Sequence, residues 1–289
     1  MFSGWDEYRL INSEIVELVD QLPRSALGEA VGYILSSPGK RVRPLILVSS
    51  SQAFGCDPTT SVDASLAVEM VHAASLVHDD ILDWGVERRG MPSAFERYGD
   101  EVAILSGDYM ISRSIDLISS YSHRVIKAFS GACMEMAEGE LLDLTEVSSP
   151  EEYYNCIYKK TASLFEASVE IGCLIACAPD EDVARFKRYG SNLGLAYQIL
   201  DDLEEYLGIS QGKESSKTSM TLPRIYGDIF SPEKSLEMCS KAIKDHCAEA
   251  KKALKESSGD SLALSRLQEI VDYMTQRGLE ECRSLKSLC

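Results

Sequence analysis

Asp79-Asp80-Ile81-Leu82-Asp83 and Asp201-Asp202-Leu203-Glu204-Glu205 write the same acidic pattern twice, each time inside an apolar stretch. On a helix, positions i, i+1 and i+4 fall within an arc of about 100°. Asp79, Asp80 and Asp83 therefore share one side of a helix, and Asp201, Asp202 and Glu205 share one side of another. Gathering these carboxylates beside Val, Ile and Leu is costly unless cations neutralise them. Mg2+, a hard ion that seeks oxygen, suits such donors and leaves coordination positions for substrate phosphates. The pattern predicts two acidic walls that grip a diphosphate through metal.

Basic residues lie close to the first wall in Arg88-Arg89-Gly90, with His72 a short way before it, and again near the N-terminus in Gly39-Lys40-Arg41-Val42-Arg43-Pro44. An isolated Arg pair after an acidic cluster reads as a solvated ion-pair patch at a helix end. Two compact basic clusters in so acidic a chain read differently. Arg forks and a Lys point charge hold phosphate without metal, so a second phosphate site beside the metal site is expected.

The elements that must position these groups are helical. All nine prolines sit where a helix would start or stop, and the segments between them place apolar residues at helical spacing. Leu66-Met70-Ala73-Ala74-Val77-Ile81 and Phe186-Tyr189-Leu193-Ala196-Tyr197-Leu200 are examples. Helices are expected near 13–22, 24–37, 41–53, 60–84, 101–120, 123–146, 151–177, 180–208, 232–256 and 259–286. Strand signals are nearly absent, the β-looking run Val42 to Val48 being bracketed by helical pattern. No linker-like stretch divides the chain, which reads as a single all-α domain over 1–289.

Bulk properties narrow the function. At 289 residues, 45% hydrophobic and 26% charged, the chain is long enough for a sizeable core and ordinary in composition. A formal net charge of -17 argues against nucleic acid as a partner. The nine cysteines lack paired metal-site spacing and read as reduced thiols in a cytoplasmic protein. No apolar run approaches the length of a membrane span.

These motifs, in order, resemble those of the trans (all-E) polyprenyl diphosphate synthases, the polyprenyl synthetase family. The matching stretches are Gly39 to Pro44, Glu69 to His72, His78 to Asp83 with Arg88-Arg89-Gly90, and Ser106-Gly107-Asp108-Tyr109. Gly139-Glu140, Lys160-Thr161-Ala162, Gln198 with Asp201-Asp202, and Thr221-Leu222-Pro223 complete the set. The resemblance implies an isoprenoid-synthase-type helical domain around a central cavity, and a homodimer. It implies an Mg2+-dependent prenyltransferase that condenses isopentenyl diphosphate with an allylic diphosphate. Two or three Mg2+ ions per active site are implied, with Mn2+ as a substitute.

By the same resemblance, Asp79, Asp83 and Asp201 would coordinate Mg2+ on the allylic diphosphate, with Asp80, Asp202 and Glu205 in supporting or ligand roles. Lys40, Arg43, His72 and Arg89 would hold isopentenyl diphosphate, and Arg88 the allylic diphosphate. Lys160, Thr161 and Gln198 would line the region where an allylic cation develops, and Lys213 would close over the diphosphate. The released diphosphate is the family's usual proton acceptor, so no side-chain base is assigned. The chain departs from the family at Glu205, where aspartate is more typical, and in a shorter stretch from Gly212 to Pro223, where Ser219 stands at a common lysine position.

Ala74 and Ser75 lie about 6–7.5 Å before Asp79 along a helix axis. In the family, bulky aromatics there form a floor that stops the growing chain. Small residues leave that floor open, so products longer than C15 are expected, with Met110, Phe129 and Phe165 as candidates for a deeper floor. Two other readings stand beside this one. A class I terpene cyclase shares the fold and an aspartate motif but has no use for the second phosphate site. A non-catalytic or regulatory subunit of a heteromeric synthase would account for the altered Gly212 to Pro223 stretch.

Overall fold

The computed structural model describes residues 2–145, 147–209 and 220–286. Apart from one small hairpin, its regular structure is helical. The N-terminal half runs α1 (Asp6–Asp20), α2 (Ala26–Leu35), α3 (Val42–Gln52), α4 (Pro58–Leu82), α5 (Ala94–Tyr98), α6 (Asp100–Ile118) and α7 (His123–Leu144). The C-terminal half runs α8 (Pro150–Ile157), a π turn (Tyr158–Ala162), α9 (Ser163–Ile175), α10 (Asp180–Tyr206), α11 (Leu222–Gly227), α12 (Pro232–Lys255) and α13 (Ser261–Lys286). A hairpin of β1 (Glu87–Arg88) and β2 (Met91–Pro92) interrupts the series after α4.

The helix starts follow from local chemistry. Pro58, Pro150 and Pro232 open α4, α8 and α12, where a missing N–H costs nothing. Ser93, Ser122, Ser149 and Ser231 accept a backbone N–H as N-caps of α5, α7, α8 and α12. The run Val42 to Val48 is helical because α3 is buried nearly all round, and such a helix needs no polar stripe. Three features depart from the expected boundaries. The first helix begins at Asp6, the expected 151–177 helix is broken by the π turn, and α5, α11 and the hairpin are additional.

Two apolar clusters form the interior. The larger one joins α3, α4, α6, α9 and α10 through residues such as Leu45, Met70, Met110, Phe165 and Tyr189. The smaller one joins α8, α10, α11 and α12 through Tyr153, Ile199, Leu203, Ile225 and Ile243. Helix α10 serves both clusters, so its C-terminal end is fixed relative to the C-terminal end of α4.

The segment that delivers the N-terminal basic residues is pinned by Arg41. Its backbone is left-handed (φ 50°), a conformation that a non-glycine residue holds only when its surroundings enforce it. The enforcement comes from its guanidinium, which donates to Glu69 at 2.6 Å, to the Leu35 carbonyl at 2.8 Å and to the Ser37 carbonyl at 3.0 Å. Both partners of the Arg41–Glu69 ion pair are buried, with side-chain exposures of 6% and 7%. Removing one partner of a buried pair strands the other charge. Glu69→Ala is therefore expected to lower unfolding stability by about 3–5 kcal/mol in urea denaturation. A loss below about 1 kcal/mol would place the pair among ordinary surface bridges.

Candidate active site

The C-terminal ends of α4 and α10 meet at a cavity of about 330 Å3. Asp79 comes from α4, and Asp201, Asp202 and Glu205 from α10. Arg43, His72, Arg88 and Arg89 line the same cavity, as do Lys160, Thr161 and Gln198. Most of the residues singled out in the sequence thus come together, although α4 and α10 are far apart in the chain.

Some do not line this cavity. Asp80, the i+1 position, turns behind the wall, where Arg88 Nε and Nη2 clasp its carboxylate at 2.7–2.9 Å. Arg88 is thereby aimed by Asp80. Burial works against its charge, but the hydrogen bond and charge of Asp80 hold it above its ordinary range. Asp83 is the buried C-cap of α4, at the end of the helical turn that was expected to align it with Asp79, and it does not line the cavity. Lys40 is exposed, its ammonium 5.6 Å from the centre of the Tyr273 ring. Ala74 is fully buried in the core, whereas Ser75 faces the cavity. Lys213 and Ser219 lie outside the described residues.

The basic wall is built from close cation neighbours. Arg43 Nη1 donates to His72 Nε2 at 3.0 Å, and the Arg43 guanidinium stacks 4.4 Å from the centre of the Phe165 ring. Burial, followed by Arg43, Arg89, Arg88 and Arg41, holds His72 well below the ordinary imidazole range. His72 is therefore neutral at neutral pH, and its Nε2 is the acceptor. Burial also lowers Arg43 to about 10. Arg89, left-handed at φ 55°, donates to the Pro38 carbonyl at 2.9 Å, joining the hairpin to the loop before α3. Cations crowded in this way gain from an anionic ligand.

The acidic wall shows the converse. Burial raises Asp79 to about 7, Glu140 adds to the rise, and Lys160 and Arg88 oppose it. Burial likewise raises Asp202 to about 7, with Asp201 and Glu205 adding to it, against hydrogen bonds that favour its ionised form. Those bonds come from Tyr153 Oη at 2.5 Å and Gln198 Nε2 at 2.8 Å. Gln198 Oε1 in turn accepts from Thr161 Oγ1 at 2.7 Å, so Thr161, Gln198, Asp202 and Tyr153 form one chain.

Lys160 reaches the site because α7 and the π turn approach very closely. A Cβ at Gly139 would sit 2.2 Å from the Lys160 amide nitrogen, so only glycine permits this backbone contact. One residue on, Glu140 holds the Lys160 ammonium at 2.6 Å, and Asp143 holds it at 2.7 Å. Against the cost of burial, Asp79, Asp143 and Glu140 keep this amine charged, well above its ordinary value. The sequence assigns no role to Asp143 or Tyr153, and it marks Glu140 only as part of the matching Gly139-Glu140 stretch. The available signal was an acidic pair at i, i+3 on α7, which nothing linked to Lys160 without tertiary contacts.

Among the described residues, no three Asp, Glu, His or Cys side chains converge closely enough to hold a metal ion by themselves. The donor set suits a shared ion, because carboxylates with raised protonation equilibria on two helix ends are relieved by a cation between them. Mg2+ commonly binds through one or two carboxylates, with waters and substrate phosphates completing its shell.

A second, more apolar cavity of about 360 Å3 adjoins the first between α4, α6 and α7, lined by Val71, Leu82, Ile111, Cys133 and Leu141 among others. Both cavities include Ser75, Asp79, Met136 and Lys160. Met110, Phe129 and Phe165, considered as a deeper floor, are buried in the core and do not line it.

Comparison with known proteins gives a consistent set of matches. The profile of the family described as polyprenyl synthetase matches residues 24–274. A geranylfarnesyl diphosphate synthase from Methanosarcina mazei is 44% identical over 279 residues, covering 96% of this chain and 94% of the relative. An octaprenyl diphosphate synthase from Escherichia coli is 34% identical over 245 residues, covering 81% of this chain and 73% of the relative. Among solved structures, a geranyltranstransferase from Methanosarcina mazei superposes with a TM-score of 0.85 at 41% identity, covering 96% of this chain and all (100%) of that one. A polyprenyl synthase from Caulobacter crescentus, complexed with calcium and isoprenyl diphosphate, gives 0.84 at 25% identity, covering 92% and 94%.

The raised Asp79 and Asp202 predict a pH-dependent response to a divalent ion. Asp79 and Asp202 rise from an ordinary 3.8 to about 7. Between these values the unfolded chain releases protons that the fold retains, so the metal-free fold loses stability as pH rises. Above that window both carboxylates are ionised in buried surroundings, and a cation has most to relieve. The rise in Tm on adding Mg2+ is expected to be larger at pH 8 than at pH 6. Equal rises would show that these carboxyls do not meet the ion.

Proposed function

Since this chain belongs to the polyprenyl synthetase family, we propose a division of labour among its residues for head-to-tail chain elongation. The chain is a prenyltransferase that joins isoprenoid diphosphates into an all-E polyprenyl diphosphate longer than C15. The observation that carries the residue assignment is the arrangement of two cavities. A polar one has acids facing cations, and it meets an apolar one at Ser75, Asp79, Met136 and Lys160.

In this reading Arg43, Arg89 and His72 bind the diphosphate of isopentenyl diphosphate, with Lys40 guiding it in from the exposed side. Neutral His72 keeps the Arg43 fork in place without adding a further buried charge. Asp79 on one helix end and Asp201 with Glu205 on the other would hold Mg2+, or Mn2+ in its place, as two or three ions. The bound metal supplies charge neutralisation of the leaving diphosphate. Arg88, aimed by Asp80, adds a fixed positive charge to the same group. The allylic C–O bond breaks, and the electron pair leaves with diphosphate. The double bond of isopentenyl diphosphate then forms the new C–C bond, and a proton departs to the released diphosphate. Thr161 and Gln198 present oxygen dipoles along the interior, while Asp202 and Tyr153 fix their orientation. The growing tail occupies the apolar cavity, where burial of each added unit is favourable at roughly 25 cal/mol per Å2.

We read the whole chain as one polyprenyl-synthase-like domain acting as a cytoplasmic homodimer. The support for a dimer is an apolar band on the outer faces of α6 and α7, where Ile104, Leu105, Ile115 and Met134 are 45–64% exposed. The described cysteines are free thiols, in keeping with a reducing compartment. Among the described residues, no helix is long and apolar enough to cross a membrane.

Steady-state kinetics with purified chain, isopentenyl diphosphate and an allylic diphosphate test the assignment. Asp79→Ala and Asp201→Ala are expected to lower turnover by orders of magnitude, and EDTA to abolish it. Arg43→Ala should raise the KM for isopentenyl diphosphate about tenfold or more, from loss of about 1.5–3 kcal/mol of charged hydrogen bonding. A rise confined to the allylic substrate would reverse the two phosphate sites. For the assembly, light scattering is expected to report a dimer that Ile115→Asp converts to monomer. A monomeric wild type would remove the role given to the α6–α7 band.

A further inference from the structure

His78 precedes the metal-facing Asp79 on α4 and lines the apolar cavity with Ser75, Leu82, Ile111 and Met136. The tip of its ring points head-on at Gly107 of α6. A Cβ built at Gly107 would lie 2.1 Å from His78 Nε2, 2.7 Å from Cε1 and 2.9 Å from Cδ2. Real Cβ atoms do not approach ring atoms so closely, so the missing side chain at 107 leaves a notch shaped to this imidazole. His78 Nε2 is buried and has no hydrogen-bond partner among the described residues. The ring is therefore held there by shape, not by a polar bond.

We propose that His78 is a specificity-determining residue for product length and that Gly107 is the notch that keeps its ring out of the path of the growing tail. This rests on the tail occupying the apolar cavity, as in the functional reading above. If the notch were filled, either the helices would separate or the ring would turn. Separation is costly, because the facing surfaces are tightly packed: Ala103, Ser106 and Met110 on α6 and Ala74 on α4 are all fully buried (0% exposed). The ring turns more easily, by a change of rotamer that breaks no hydrogen bond. The open space beside it is the tail cavity, about 360 Å3 in volume. A ring turned into that space narrows it close to the reacting end. The expected consequence is a shorter product, not a weaker grip on diphosphate.

The experiment is a product ladder for wild type, Gly107→Ala, His78→Ala and the double variant, with Mg2+, isopentenyl diphosphate and a short allylic diphosphate. Gly107→Ala should shift the main product down by at least one isoprene unit. The double variant, with nothing left to displace, should return to the wild-type length or exceed it. An unchanged ladder for Gly107→Ala overturns the proposal, as does shortening that persists in the double variant. Should Gly107→Ala fail to fold, His78→Trp places excess ring bulk beside an intact notch. It should shorten the product, and an unchanged ladder overturns the proposal here too. A wild-type chain that forms no prenyl product under these conditions would defeat the functional reading itself, and this inference with it.

Discussion

Burial of carboxylates at the cavity between the ends of α4 and α10 is the constraint on which the other features of the site depend. Carboxylates at Asp79, Asp201, Asp202 and Glu205 face a partly buried space, and burial pushes two of them up to about 7. Such a wall is tolerable only with fixed cations nearby and mobile ones to come. The fixed share is visible. Arg88 is locked onto Asp80 behind the wall, and Lys160 is suspended between Glu140 and Asp143. The remaining imbalance would be relieved by a metal-bearing diphosphate and deepened by a bare anion. In a chain of net charge -17, a naked diphosphate would meet repulsion almost everywhere except at the Arg43–His72–Arg89 corner.

That corner illustrates how a neutral residue can organise charged ones. Arg43 is buried, stacked on Phe165 and bonded to a histidine that its own charge helps to keep neutral. A lysine in place of His72 would add a further buried cation. An apolar residue there would leave the Arg43 fork without its acceptor. The arrangement also explains why Arg41, though it belongs to the same basic stretch, does not serve as a ligand. Its guanidinium is consumed by Glu69 and two backbone carbonyls, and its task is to hold the segment in a left-handed bend.

The sequence made the all-α class legible because helical periodicity, prolines at helix starts and serine caps all agree locally. It also made most of the polar cavity legible, because acids at i and i+4 and clustered arginines carry chemistry in their types alone. What it hid depends on which way a helix faces and where it stops. Asp80 looks equivalent to Asp79 until the hairpin brings Arg88 behind it. Asp83 looks like a third ligand, yet its side chain is buried and does not line the cavity. Ala74 and Ser75 are neighbours in sequence, yet one faces the core and the other the cavity. The roles of Glu140 and Asp143 were hidden for the opposite reason. An acidic pair on an amphipathic helix reads as a solvated face until a distant lysine is placed against it.

The π turn at Tyr158–Ala162 has a consequence for how one stretch of helix serves two interiors. Before it, Tyr153, Cys156 and Ile157 point into the smaller cluster; after it, Leu164, Phe165 and Val169 point into the larger one. A π turn carries an extra residue relative to an α turn, so it acts as a phase shifter in an otherwise continuous helical run. Without that offset, an unbroken α-helix in register with one cluster would present the wrong angular face to the other. Lys160 and Thr161 sit within the offset itself. Two residues that line the polar cavity thus occupy the place where the helix changes allegiance between its two cores, and a single-residue deletion there would put the helix out of phase with one of them.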